Sequence, residues 1–127
     1  MSPGPLVAVV EDDAGSLKTL GRVLRTGGFD AELYASAEDF LAATRHPATI
    51  GIVLDVHLGG MSGLELQERL NAAGSRLPVI VITAIDDPEV ERVARQLGCH
   101  AFLRKPCEAE AILSLLRTMR PAPSSDL

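Results

Sequence analysis

The sequence predicts an α/β fold: a doubly wound, five-stranded parallel sheet in the order 2-1-3-4-5, with five helices. Two observations predict it. Five short apolar runs alternate with five helix-like segments along 127 residues, and strand-helix alternation gives right-handed crossovers and a sheet covered on both faces. Three of those runs are nearly continuous in Val, Ile and Leu, as parallel strands without a wet face are. The length fits one domain, and an apolar fraction of 46% supplies a core for it.

The strands are expected at residues 6–10, 31–34, 50–54, 79–82 and 101–103. Between the first two, Leu17, Leu20 and Leu24 share a helical face, and Asp13 is placed to cap it. Ser36 with Asp39 resembles a capping box opening the second helix. Leu66, Leu70 and Ala73 mark the third. Val90, Val93, Ala94 and Leu97 mark the fourth, which starts at Asp87-Pro88, an N-cap followed by proline at the first helical position. Ile112, Leu115, Leu116 and Met119 mark the fifth. Gly27-Gly28, Gly74 and Gly98 stand where helices stop. A domain is expected over 5–120, with 121–127 a Pro/Ser-rich mobile tail or the start of a linker.

Composition narrows the function. A net charge of −5 at pH 7 argues against direct binding of DNA or another nucleic acid, because phosphate backbones select Lys/Arg-rich surfaces. No apolar run reaches membrane-spanning length, and the N-terminal residues carry no signal-peptide pattern. A cytoplasmic protein is expected, with no membrane partner. Cys99 and Cys107 form no metal-type pair and read as reduced, apolar fillers.

Chemistry gathers at the carboxyl ends of the expected strands. The first ends in Glu11-Asp12-Asp13, the third in Asp55, the fourth in Thr83-Ala84, and the fifth runs into Lys105-Pro106. In a 2-1-3-4-5 sheet, strands 1 and 3 are neighbours at the switch point, where ligands bind. Glu11 and Asp12 then face Asp55. Two unit charges 4 Å apart repel by about 1–4 kcal/mol as the effective dielectric falls from about 80 to about 20. A cation removes that penalty, and all-oxygen ligands suit Mg²⁺ or Mn²⁺ better than zinc. A metal between carboxylates with Lys105 opposite is the arrangement phosphoryl transfer needs, with Asp55 as nucleophile. Each residue alone is a weak signal: acidic residues after strands often cap helices, Thr83 can be an ordinary strand-end hydroxyl, and Lys105 a solvated charge. Their conjunction at four strand ends is the stronger observation.

In the segments VAVVEDD (7–13), LDVHLGGMSGLEL (54–66), VIVITA (79–84) and AFLRKP (101–106), the chain resembles the receiver domains of two-component response regulators, chemotaxis and nitrogen-fixation types among them. The resemblance covers residues 5–120. It implies the receiver fold and a phosphorelay function, with a phosphoryl group taken from a sensor histidine kinase or phosphotransfer protein onto Asp55. Asp12 would bind Mg²⁺ directly, Glu11 through water, and His57 through its backbone carbonyl. Lys105 would pair with the phosphoryl group. Thr83 would move toward it and Phe102 would turn inward, changing the surface of the fourth helix, fifth strand and fifth helix for a downstream protein or output domain. A phosphorylation-dependent homodimer is open to such a domain. The resemblance implies a phospho-acceptor switch with self-catalysed phosphorylation and dephosphorylation, not a turnover enzyme, and a cis Lys105-Pro106 bond.

The chain departs from the family pattern at Gly59, where proline is usual, at Phe102, where tyrosine is frequent, and at Cys107, where an apolar aromatic is common. Three other readings compete. An aspartyl phosphatase of the haloacid-dehalogenase type wants a second Asp where His57 stands. A nucleotide or flavin module needs a Gly/Ser/Thr-rich anion cradle where Glu11-Asp12-Asp13 stands. A receiver-like module without phosphorylation would have no need of Asp12, Asp55, Thr83 and Lys105 together.

Overall fold

The computed structural model describes residues 4–43 and 48–119. Ten elements alternate: β1 Leu6–Val10, α1 Ala14–Thr26, β2 Asp30–Tyr34, α2 Ala37–Ala42, β3 Thr49–Asp55, α3 Gly63–Ala72, β4 Val79–Thr83, α4 Pro88–Gln96, β5 Ala101–Arg104 and α5 Ala109–Arg117. All strand pairs are parallel, in the order β2-β1-β3-β4-β5. The expected fold class is the observed one. The tail expected at 121–127 lies outside the described residues.

Alternation along each strand builds two cores. Val7, Val9, Val53, Ile80 and Ile82 face Leu24 of α1 and Ile112, Leu113 and Leu116 of α5. Ala8, Val10, Ile52, Leu54, Val79 and Val81 face Phe40 of α2, Leu66 and Leu70 of α3 and Ala94 of α4. Successive strand side chains point to opposite faces, so a strand dry on both sides must be apolar at every position. That is why β1 and β4 read LVAVV and VIVIT and are buried throughout. Ala73, assigned to the apolar stripe of the third helix, instead forms its exposed C-cap.

Two strand ends differ from the sequence expectation in a way that matters. Asp55 and Thr83 are the last residues of β3 and β4, not the first after them. Asp55 pairs with Ile82 and Thr83 with Arg104 in the parallel ladder. Their backbones are therefore held by the sheet itself.

The helix starts follow local chemistry. Asp13 Oδ2 accepts from the Ser16 N–H at 2.8 Å, and Asp87 Oδ1 from the Glu89 N–H at 3.0 Å with Pro88 at the first helical position. Ser36 is a plain N-cap of α2, accepting from the Asp39 N–H at 2.9 Å. The reciprocal capping box is made at Ser62 and Glu65 of α3, because glutamate reaches back to the cap N–H where the shorter aspartate does not. Gly28, Gly74 and Gly98 close α1, α3 and α4 with φ of 93°, 77° and 84°, the left-handed region that a C′ residue needs.

Candidate functional site

The carboxyl ends of β1, β3 and β5 meet in a cleft of about 380 Å³ lined by Glu11, Asp12, Asp13, Asp55, His57, Ala84, Ile85 and Lys105. Val10 and Leu54 are register partners in β1 and β3, so Glu11 and Asp55, one residue further on, emerge side by side. Both are buried, at 1% and 7% exposure. Lys105 follows β5, held there by its N–H donating to the Thr83 carbonyl at 2.8 Å, and the Lys105-Pro106 bond is cis.

The Lys105 ammonium bridges the two carboxylates: Nζ is 2.5 Å from Glu11 Oε1 and 2.8 Å from Asp55 Oδ2. The other Asp55 oxygen, Oδ1, accepts from the His57 N–H at 2.9 Å. Burial pushes the Glu11 pKa above the ordinary glutamate value; the Lys105 bond opposes this, and the Asp55 carboxylate adds to it. Burial works against the Lys105 ammonium, yet its bonds to Asp55 and Glu11 outweigh that and hold its pKa above the usual lysine value. The lysine stays charged, and one cation is shared between two buried carboxylates.

Asp12 sits at the rim. Its Oδ2 accepts from the Gly59 N–H at 3.0 Å, a bond that proline at 59 could not make. Among the described residues, no three carboxylate, imidazole or thiol groups converge closely enough to hold a metal as they stand. The donor set nonetheless fits a hard divalent cation. Glu11, Asp12 and Asp55 offer only oxygen, all three line the cleft, and Glu11 is destabilised as an anion by its surroundings.

Thr83 and Phe102 are not in the cleft lining. Thr83 is fully buried, and its Oγ1 accepts from the Ile85 N–H at 3.1 Å. Phe102 is half-buried against the core on the α4 side. A larger apolar hollow of about 630 Å³ opens beside Lys105, lined by Leu20, Val23, Ile82, Pro106, Cys107 and Ile112 among others. It has no acidic residue, so the carboxylate chemistry belongs to the smaller cleft. Burial raises the Cys99 and Cys107 thiol pKa values, in keeping with packing rather than reactive roles.

Three contributors were not among the site residues expected from the sequence: the Gly59 N–H, which bonds Asp12; Arg104, which bonds the Ile85 carbonyl; and Gly63, whose N–H donates to the Val56 carbonyl at 2.9 Å.

The fold and the cleft together define a parallel α/β domain with a carboxylate-lysine site at its topological switch point. Residues 7–117 match the response regulator receiver domain family. The chain is 37% identical over 111 residues to the transcriptional regulatory protein FixJ of Azorhizobium caulinodans, covering 87% of this chain and 53% of that protein. It is similar in structure to a response regulator receiver protein from Pseudoalteromonas atlantica, with a TM-score of 0.86, 25% identity, and coverage of 91% of this chain and 96% of the other. The FixJ-N crystal structure gives a TM-score of 0.81 at 30% identity, covering 94% of each chain. The chain spans about half the length of the curated relatives it matches. It belongs to the response regulator receiver domain family, the phosphorylation-signalling class of two-component systems. No helix among the described residues is long and apolar enough to cross a membrane.

Proposed function

We propose that residues 5–120 form a receiver that accepts a phosphoryl group on Asp55 from a histidine kinase or phosphotransfer protein. The carrying observation is the bridged pair: Asp55 Oδ2 and Glu11 Oε1 on one Lys105 ammonium in an otherwise acidic cleft. Asp55 is fixed by the β3–β4 ladder and by the His57 N–H, so its Oδ2 keeps one orientation. Lys105 is already within bonding distance of that oxygen and would follow the charge onto an attached phosphoryl group. Glu11, Asp12, Asp55 and the His57 backbone carbonyl would hold Mg²⁺, which when bound neutralises carboxylate and phosphoryl oxygens.

Signal output follows from Thr83. Its hydroxyl would leave the Ile85 N–H for a phosphoryl oxygen, the β4–α4 loop would shift, and Phe102 would fill the vacated space. The α4–β5–α5 surface would then favour a downstream protein, an output domain or a second copy. Phosphorylation must stabilise one of two arrangements for this to work. Lys105 and Asp55 act on a group that stays attached, which makes the domain a self-modifying switch rather than a turnover enzyme.

Titration with beryllium fluoride and Mg²⁺, followed by amide chemical shifts, tests the reading. Saturable shifts at Asp55, Thr83 and Phe102 that require Mg²⁺ are expected. Shifts absent at any concentration, in a folded sample, would overturn it.

A further prediction concerns the lifetime of the phosphorylated state. Ile85 is half-buried and lines the cleft with His57. Its branched apolar side chain keeps water from the face of the acyl phosphate. Ile85→Glu is expected to shorten the phosphorylated lifetime severalfold, measured as phosphate release after acetyl phosphate is removed. An unchanged lifetime removes any kinetic role for this side chain.

A further inference from the structure

Arg104 ends β5 beside Lys105, but its side chain turns the other way, to the β4–α4 loop. Its Nη1 donates to the Ile85 carbonyl at 2.7 Å and lies 3.0 Å from Asp86 Oδ1. Its Nη2 is 3.9 Å from Glu91 Oε1 on α4, and the guanidinium carbon is 5.8 Å from the centre of the Phe102 ring. One side chain thus touches the loop backbone, the following helix and the aromatic residue of β5. These contacts are not equivalent. The Asp86 side chain is 93% exposed, so that ion pair contributes little. The bond to Ile85 joins a cation to a part-buried backbone carbonyl, and charge-assisted bonds of this kind are the stronger class.

Ile85 is the link that matters. Its N–H donates to Thr83 Oγ1 at 3.1 Å while its carbonyl accepts from Arg104. The Thr83 hydroxyl is therefore held by a residue that Arg104 in turn holds. We propose that Arg104 is a positioning residue: it clamps the β4–α4 loop through Ile85, keeps Thr83 and Phe102 in the unphosphorylated arrangement, and so lowers the domain's affinity for a phosphoryl group. The inference rests on the switch roles given to Thr83 and Phe102 above. If Thr83 is to reach the Asp55 side, Ile85 must move and the Arg104 bond must break. A contact present in only one of two states reduces the apparent affinity of any ligand that needs the other.

The test uses the full chain. Arg104→Met keeps an apolar stem over Phe102 and removes the guanidinium; Arg104→Gln serves the same comparison if the first variant folds poorly. Beryllium fluoride binding at fixed Mg²⁺ is expected to tighten about three- to tenfold in either variant. Affinity for Mg²⁺ alone is expected to stay unchanged, which a general loosening of the site would not allow. Asp86→Asn, which removes only the exposed ion pair, should bind as the parent does. Hydrogen exchange at the Ile85 amide in the unliganded protein should speed up in the Arg104 variants. Unchanged or weaker beryllium fluoride binding by a folded Arg104 variant overturns the clamp. If the parent protein itself fails to bind beryllium fluoride, the receiver reading fails, and the exchange rate at Ile85 then decides the clamp alone: an unaltered rate rejects it.

Discussion

Asp55→Asn is expected to abolish phosphate acceptance while leaving the fold intact. The Asp55 carboxylate is held by the β3–β4 ladder and by the His57 N–H, and its Oδ2 already meets Lys105. An amide carries no charge, is a poor nucleophile, and presents an N–H₂ where Oδ2 meets the ammonium. The fold should survive because the change removes one of two buried carboxylates competing for one lysine. Lys105 retains its 2.5 Å bond to Glu11, and asparagine Oδ1 can still accept from the His57 N–H. Glu11 also loses a neighbour that raises its pKa, so less like-charge repulsion remains in the cleft. The measurement is intact mass after incubation with acetyl phosphate and Mg²⁺, with thermal unfolding as the control. A variant still labelled at a single site would exclude Asp55 as the sole acceptor. A variant that no longer folds would mean the carboxylate is structural, contrary to the shared-lysine argument.

What the sequence disclosed, and what it withheld, divides along a physical line. The covered parallel sheet was legible because two-sided burial writes itself into every position of a strand; the order 2-1-3-4-5 came from the common doubly wound topology, and the meeting of Glu11, Asp55 and Lys105 followed from that order. VIVIT at β4 cannot be an edge with a wet face, and once strands 1 and 3 are adjacent, the residues that follow them have no other place to go. Contacts made by loops were not legible. Nothing in the pattern says that the Gly59 N–H meets Asp12 across 47 residues of sequence, or that Arg104 folds back onto the Ile85 carbonyl. Those bonds depend on the path of a connection, which no periodicity records. The full burial of Thr83 and its bond to Ile85 were hidden for the same reason: a threonine after Val-Ile-Val-Ile reads equally well as the end of the strand or the start of the loop. The Ser62–Glu65 capping box was available locally but lay inside the segment read for phosphoryl chemistry.

Gly63→Ala is expected to be the most destabilising single-methyl change near the site, by about 3 kcal/mol. Gly63 opens α3, and its N–H donates to the Val56 carbonyl at 2.9 Å. A Cβ there would lie inside the van der Waals envelope of the Asp55 carbonyl oxygen and 2.8 Å from Val56 Cα. These are backbone atoms of Asp55 and the residue after it, so no side-chain rotation relieves the overlap. Its backbone needs no positive φ; the constraint is space alone, and helix propensity by itself would favour alanine. Either α3 retreats from the sheet, opening gaps around the fully buried Leu66, or the Asp55–Val56 peptide tilts and turns the Asp55 carboxylate from Lys105. The first route lowers stability and the second lowers beryllium fluoride affinity, and the variant is expected to show both losses. Gly15→Ala in α1 is the matched control. Its nearest neighbour to a new Cβ is Asp13 Oδ2 at 3.4 Å, an ordinary contact, and replacing a helical glycine there should stabilise by roughly 0.5–1 kcal/mol. Urea unfolding of the three proteins measures both signs. Equal midpoints for Gly63→Ala and the parent would show that α3 can step back without cost, and that the close approach of its first turn to β3 does not hold Asp55 in place.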